Sequence, residues 1–244
     1  MKELAKRILI VHKCVSCKKI LDFKDFDEAF CPDCKEKYLA SKMAMCPLCS
    51  QEAEKCRCMP TFLKKDEAVV LRKLFFYSSN KSAEPQNRLI YFIKRNKNKR
   101  VSRAIARELI PIIKEEAIRL NVNELPVVVS APRSKKVLFE YGFDQSDMIC
   151  QAIGDISVFE YCNVLKRRWG GREQKALTAG ERRKNIKDLI YPDASLSDKI
   201  KGKTVILVDD VVTTGATMSA CIQALKRCGA KNIVCIALAG DIKT

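Results

Sequence analysis

The sequence has one histidine, His12, and one tryptophan, Trp169, in 244 residues. A Ser-His-Asp triad would have to run through His12, and any metal site needing two histidines is excluded. No window approaches the roughly 18 apolar residues of a membrane span, so no membrane insertion is expected. The opening MKELAKRILIVHKC carries one short apolar run, Ile8 to Val11, and no secretory pattern. The glycine loop at 213–217 is neither a Walker loop, since no Gly-Lys-Ser/Thr follows it, nor the dinucleotide GxGxxG. Acidic residues are outnumbered, 29 against 46 Lys and Arg, for a formal charge of +17. Hydrophobic residues make up 47%, enough for a core, so disorder as the whole answer is excluded.

Cysteine is abundant, with 13 residues unevenly placed. Eight stand as four close pairs: Cys14 and Cys17, Cys31 and Cys34, Cys46 and Cys49, Cys56 and Cys58. A Cys-x-x-Cys turn points two sulfurs at one centre, and two such turns make a tetrahedral four-sulfur site. Soft thiolates in that geometry select zinc or an iron–sulfur centre. Eight ligands would close two structural sites, and two structural Zn²⁺ ions are expected, with the metal supplying much of the folding free energy. Sequential pairing and a cross-braced pairing are both compatible with the spacing. His12 is a spare ligand that eight cysteines do not need. The pattern fits a reducing, cytoplasmic setting. Cys150, Cys162, Cys221, Cys228 and Cys235 lack paired spacing and read as buried small hydrophobes.

From about Thr61 the texture changes. Strand composition at 66–77 is followed by a turn-rich break at 78–87. Residues 88–100 carry an apolar helical face and a basic run, and 101–120 are amphipathic, with Pro111 marking a kink or restart. Residues 125–132 read as a buried strand closed by proline, and 142–155 as a helix with Asp144 as its cap. Strands at 204–210 and 232–240 flank a helix at 217–228 that Gly229 ends. Strands alternating with helices predict an α/β fold with a parallel sheet. The expected organisation is a cysteine-rich module over 1–60 and an α/β domain over 61–244.

The most informative stretch is VILVDDVVTTGAT, residues 205–217. It reads as a buried strand, two carboxylates, a hydroxyl-rich glycine loop and a helix start. The N–H groups of Thr213, Thr214, Gly215, Ala216 and Thr217 can form an anion nest that the helix dipole reinforces. Asp209 and Asp210 stand at the carboxyl end of the strand, where open α/β sheets bind ligands. Two carboxylates beside a phosphate loop suit a ribose diol or hydrated Mg²⁺.

This stretch resembles the phosphoribosyl pyrophosphate (PRPP) signature of type I phosphoribosyltransferases. With the paired-cysteine module, YFIKRNKN (91–98), SAP (130–132), GFDQ (142–145), Gln174, Arg183 and Asn185, nearly the whole chain resembles the ComF family, associated with DNA uptake in competent bacteria. The resemblance implies a phosphoribosyltransferase-like domain behind a zinc module. Thr213 to Thr217 would hold the 5′-phosphate of PRPP, and Asp209 and Asp210 the ribose hydroxyls, directly or through Mg²⁺. The loop of Ala131, Pro132, Arg133, Ser134 and Lys135 would face the pyrophosphate. Gln174, Lys175 and Arg183 would belong to a lid. The implied partners are PRPP, single-stranded DNA and other uptake proteins such as a helicase. Two departures stand out. The family has Pro-Val-Pro where this chain has Ser130-Ala131-Pro132, and an arginine where it has Tyr141; Arg133, Lys135 or Lys136 could replace that arginine.

The basic excess is concentrated. Residues 88–107 hold eight cations and no acid, among them Lys94, Arg95, Lys97, Lys99 and Arg100, the candidate nucleic-acid contacts. Residues 166–187 hold nine cations against two acids, beside Trp169, and suit a pyrophosphate lid or a nucleic-acid contact. Three functions follow as expectations. The first is a PRPP-binding protein that handles single-stranded DNA. The second is an active phosphoribosyltransferase with an unidentified nitrogen acceptor. Purine salvage is disfavoured there, because Thr213 stands where salvage relatives often carry a basic carboxylate. The third is a non-catalytic PRPP-sensing regulator.

Overall fold

The computed structural model describes residues 11–64, 69–77, 83–169 and 189–241. Gln174, Lys175 and Arg183, the expected lid residues, lie outside the described residues.

The cysteine region is built from a repeated knuckle. Cys14 donates its N–H to the Lys19 carbonyl and accepts at its own carbonyl from Lys18; Cys46 does the same with Gln51 and Ser50. The residue after each second cysteine, Lys18 or Ser50, takes a positive φ of 66° or 52°. That turn aims both sulfurs at one side. Helix α1 (Pro32–Lys42) follows the first knuckle, with Cys31 at its N-cap and Pro32 in its first turn.

The larger part is a parallel sheet. Strand β1 (Val69–Tyr77) leads to α2 (Pro85–Arg95) and α3 (Lys99–Arg119). Strand β2 (Val127–Ser130) leads to α4 (Lys135–Tyr141) and α5 (Gln145–Ile156). A short antiparallel pair, β3 (Leu165–Arg167) and β4 (Ile190–Pro192), precedes β5 (Thr204–Val212), α6 (Ala216–Arg227) and β6 (Asn232–Asp241). The order in the sheet is β1-β6-β5-β2, all parallel. Both faces are covered. Ile206 and Val208 pack with Ile105, Leu109, Ile149 and Ile153 on one side. Val205 and Leu207 pack with Cys221, Ile222 and Leu225 on the other. Two buried faces explain why these strands read as continuous apolar runs.

Two readings are corrected. Helix α3 runs unbroken through Pro111, with no restart there. Leu109, Ile112 and Ile113 bury one face across that point, while Pro111 is exposed, so the carbonyl it frees can meet water. The basic run crosses a helix boundary. Asn98 caps a new helix, its side chain accepting from the Val101 N–H at 3.0 Å, so Lys99 and Arg100 open α3. The break at 78–87 ends early, because Pro85 already begins α2. Asp144 caps α5 as expected. Of the five unpaired cysteines, Cys150, Cys162, Cys221 and Cys235 are buried, and Cys228 is half-buried.

The cysteine region shares the main core. Cys14, Val15, Phe30, Cys31, Cys34 and Tyr38 lie in one continuous cluster with Phe75, Leu89 and Leu109.

Candidate functional site

The carboxyl end of β5 places Asp209 and Asp210 on opposite faces of the sheet, because strand side chains alternate. Asp210 is buried and faces α2 and α5. Its Oδ2 accepts from Gln145 Nε2 at 2.7 Å, with Lys94 Nζ at 3.5 Å, and its Oδ1 accepts from the Val211 N–H at 2.6 Å. Asp209 Oδ1 accepts from the Asp210 N–H at 2.8 Å. Burial, and then the charge of Asp210, push the Asp209 carboxyl far above the usual carboxylate range.

Beyond the strand, the loop turns at Gly215, with φ +80°, into α6. Gly215, at the N-cap, has no side chain to bond the amides that follow, which leaves this helix end open to an anion. Thr214 Oγ1 reaches the Ala216 N–H at 3.4 Å. The structure thus brings Asp209, Asp210, Thr213, Thr214, Gly215, Ala216 and Thr217 into one strand–loop–helix unit.

The loop after β2 lies on the adjacent strand. The Ala131 N–H donates to the Val208 carbonyl, and the Arg133 N–H donates to Asp144 Oδ2 at 2.6 Å. The Arg133 guanidinium donates to the carbonyls of Phe143 and Lys94 and lies over the Tyr141 and Phe143 rings. It therefore holds this loop against α2 and α5. Ser134 caps α4, its hydroxyl accepting from the Val137 N–H at 3.4 Å. A cavity of about 400 Å³ opens beside the loop, between α4, α5 and β3. Lys97, Arg133, Lys135, Lys166 and Arg167 bring cations to it, and Asp144 and Asp147 bring acids. Asp147 is already engaged by Tyr161, Asn163 and Gln151.

The basic run divides by environment. Arg95 stacks on exposed Tyr91 at 3.7 Å, and Lys97 and Lys99 are exposed. Lys94 instead faces Asp210. Arg100 is half-buried, donates to the Lys13 carbonyl, and has two nitrogens without a partner among the described residues. Gln145 was legible only as part of GFDQ, and no sequence signal tied it to a carboxylate 65 residues away.

The eight cysteines form two sets in sequence order: 14, 17, 31 and 34, then 46, 49, 56 and 58. That settles the pairing as sequential. The sulfurs of each set lie within 4.8 Å of one another. A zinc tetrahedron with bonds near 2.3 Å has edges of about 3.8 Å, and Cys17 and Cys31 stand 3.6 Å apart, Cys49 and Cys56 3.7 Å. Both sets fit such an ion. Burial pushes Cys31 and Cys58 up to about 12. Burial acts the same way on Cys14 and Cys46, but backbone N–H groups outweigh it and bring each thiol down to about 7. His12 stacks on Phe26 at 4.1 Å and belongs to neither set. At the second set, the buried Lys73 ammonium reaches Cys56 Sγ at 3.4 Å and the carbonyls of Cys56 and Cys58 at 3.1 and 3.3 Å.

A family model described as the phosphoribosyl transferase domain matches residues 155–244. The DNA utilization protein YhgH of Escherichia coli O157:H7 is 30% identical over 156 residues, 62% of this chain and 65% of that protein. Residues 155–244 thus match a phosphoribosyl transferase domain, and the chain is homologous to proteins named DNA utilization protein YhgH and Competence protein F. Competence protein F of Haemophilus influenzae is 28% identical over 152 residues, 62% of this chain and 66% of that protein. A hypoxanthine/guanine phosphoribosyltransferase of Methanocaldococcus vulcanius is 53% identical over 45 residues, 18% of this chain and 25% of that protein. The alignments thus span about 65% of the length of the curated YhgH relatives. Among the described residues, no helix is long and apolar enough to cross a membrane.

Proposed function

We propose that this protein binds PRPP with Mg²⁺ at the β5–α6 loop and serves the handling of single-stranded DNA during DNA uptake, in the cytoplasm. The observation that carries the first part is Asp210, fixed by Gln145 and Lys94 beside an uncapped helix N-terminus. In this reading the amides from Thr213 to Thr217 hold the 5′-phosphate, and the threonine hydroxyls add donors. Asp209 and Asp210, at the same strand end, bind the ribose hydroxyls directly or through Mg²⁺. Lys135, at the start of α4, faces the leaving pyrophosphate. Mg²⁺, when bound, neutralises charge developing on that leaving group. The eight cysteines hold two structural zinc ions.

Exposed aromatics beside cations support the nucleic-acid part. Phe139 and Trp169 are largely exposed and meet edge to face at 6.4 Å, near Lys135 and Arg168. Such faces stack unpaired bases. Arg95, Lys97 and Lys99 extend the basic surface, whereas Lys94 serves Asp210. The relatives named for DNA utilization and competence support the same assignment.

A second reading, transfer of the phosphoribosyl group to a nitrogen acceptor, draws on the 400 Å³ cavity beside the pyrophosphate loop. Gln151 and Asn163, whose amide nitrogens donate to Asp147, offer their carbonyl oxygens there to an acceptor.

Calorimetry with PRPP and Mg²⁺ tests the reading. Asp209→Asn with Asp210→Asn is expected to abolish PRPP binding and leave the metal content intact; retained binding would sink the assignment. Single-strand affinity of the wild type should fall linearly on a log–log salt plot, and a salt-independent affinity would remove the nucleic-acid part. Pyrophosphate release that requires an added acceptor would favour the second reading.

A further inference from the structure

We infer that the segment leading out of the second cysteine site, residues 59–64, positions the phosphate-binding loop, so that the state of this cysteine site sets the affinity for the phosphoribosyl ligand. This rests on the reading that residues 213–217 hold the 5′-phosphate.

The contact is close. A Cβ added at Gly215 would meet Pro60 Cγ and Leu63 Cγ at 2.9 Å each, and Leu63 Cδ1 at 3.4 Å. Gly215 thus has two reasons to be glycine: its φ of +80° and the two side chains resting on it. Leu63 is fully buried and joins the core formed by Ala216, Cys221 and Ile222. The loop is therefore pressed from the cysteine side by the same residue that anchors the segment.

A hydrogen bond gives the contact a direction. The Phe62 N–H donates to the Thr214 carbonyl at 3.3 Å. In a trans peptide the carbonyl and the next N–H point opposite ways. Holding the Thr214 carbonyl toward Phe62 turns the Gly215 N–H away from the segment, the orientation an anion nest requires. Phe62 and Leu63 thus orient one of the loop's donors.

The segment is short and stiff. Pro60 is two residues beyond Cys58, and Leu63 and Lys64 donate back to the Pro60 carbonyl at 2.9 and 3.3 Å. Lys73 grips the carbonyls of Cys56 and Cys58 from β1. A thiolate set that lost its metal would release Cys58, and with it the turn that carries Leu63. The first cysteine set has a different neighbourhood: its Cys14, Cys31 and Cys34 pack in the core on the α2–α3 face. It supplies a control within the same chain.

The experiment uses the full chain purified with its metal. PRPP–Mg²⁺ binding is measured by calorimetry, zinc content by atomic absorption and folding by thermal unfolding. Leu63→Ala is expected to weaken PRPP binding at least about tenfold, since small displacements of positioning groups are costly, with zinc content unchanged. Leu63→Met, which refills the volume, should restore most of the affinity. Cys58→Ser should weaken PRPP binding as well, while Cys17→Ser, in the exposed corner of the first set, should leave it within about twofold of wild type. Wild-type affinity in a folded Leu63→Ala would overturn the inference. Should Leu63→Ala fail to fold, equal affinity in Cys58→Ser and Cys17→Ser would do the same. Absence of PRPP binding in the wild type would instead strike the functional reading beneath it.

Discussion

The two cysteine sites look alike in sequence and are held in the molecule by different forces. The first set contributes Cys14, Cys31 and Cys34 to the main core, with Val15, Phe30 and Tyr38 packed against Phe75 and Leu89. Its attachment is a continuous apolar core, with Arg88 and Arg100 also donating to the Ser16 and Lys13 carbonyls at its edge. The second set has a small core of its own, Cys46, Ala53, Cys56 and Phe76, and is moored by charge. Arg72, buried on β1, donates to Glu116 at 2.5 Å, Glu115 at 3.0 Å and the Glu54 carbonyl at 3.2 Å. Arg57, from within the second knuckle region, reaches the same Glu116, and Arg119 takes its other oxygen at 2.6 Å. Burial pushes the Glu116 carboxyl up, but Arg119 and Arg72 outweigh it and hold it below the usual range. Apolar burial is non-directional, whereas the buried ion network fixes orientation at little net gain in stability. The comparison teaches that the first site is structural support, and the second is held in a set orientation against the sheet domain.

The largest expected effect separates the two sites directly. Cys14→Ser opens the main core as well as the metal site, and should cost several kcal/mol of global stability, within the roughly 10 kcal/mol that a structural zinc can supply. Cys49→Ser should unfold its own knuckle and leave the main thermal transition nearly in place. Circular dichroism melts of both variants check this, and equal global losses would erase the distinction. Glu116→Gln comes next. It leaves Arg72 buried with weakened partners and should cost about 3 kcal/mol, read by urea unfolding. The depressed carboxyl adds a pH signature. Its contribution is present above the unfolded value near 4.3 and lost as pH falls through the lower folded value. The variant's acid limb should therefore be shallower than the wild type's. Lys73→Met is the smallest. It removes the ammonium beside Cys56 and should speed metal loss about tenfold, in the range of partners to metal ligands. A chelator competition should show that change at the second site only, and a matching change at the first would count against the division.

Much of this architecture was legible in the residues. The β5–α6 unit was readable because a buried strand, a glycine turn and an amphipathic helix each leave a local pattern. The eight cysteines were readable because ligand spacing is local too. Their pairing was not, since it depends on which knuckles meet in space. Helix α4 and the β3–β4 pair escaped because seven- and three-residue elements are too short to show a period. The run from Lys94 to Arg100 looked uniform as charge. Burial then divided it: Lys94 turned to Asp210, Arg100 to the first knuckle, and Arg95, Lys97 and Lys99 to the surface. Long-range partners such as Gln145 with Asp210 carry no spacing signal, so tertiary contact alone reveals them.

The position of β1 in the sheet bears on how the chain reaches this state. Among the described residues β1 pairs with β6 alone, Val69 opposite Ile233 and Tyr77 opposite Asp241. The knuckles close over a handful of residues, but this pairing spans about 160, a loop whose closure is slow. During synthesis the cysteine region can therefore organise early, while β1 waits without its sheet partner until β6 has left the ribosome. An unpaired apolar strand is a template for wrong partners. Lys73 and Arg72, charged residues in that strand, also guard it through the interval before β6 arrives.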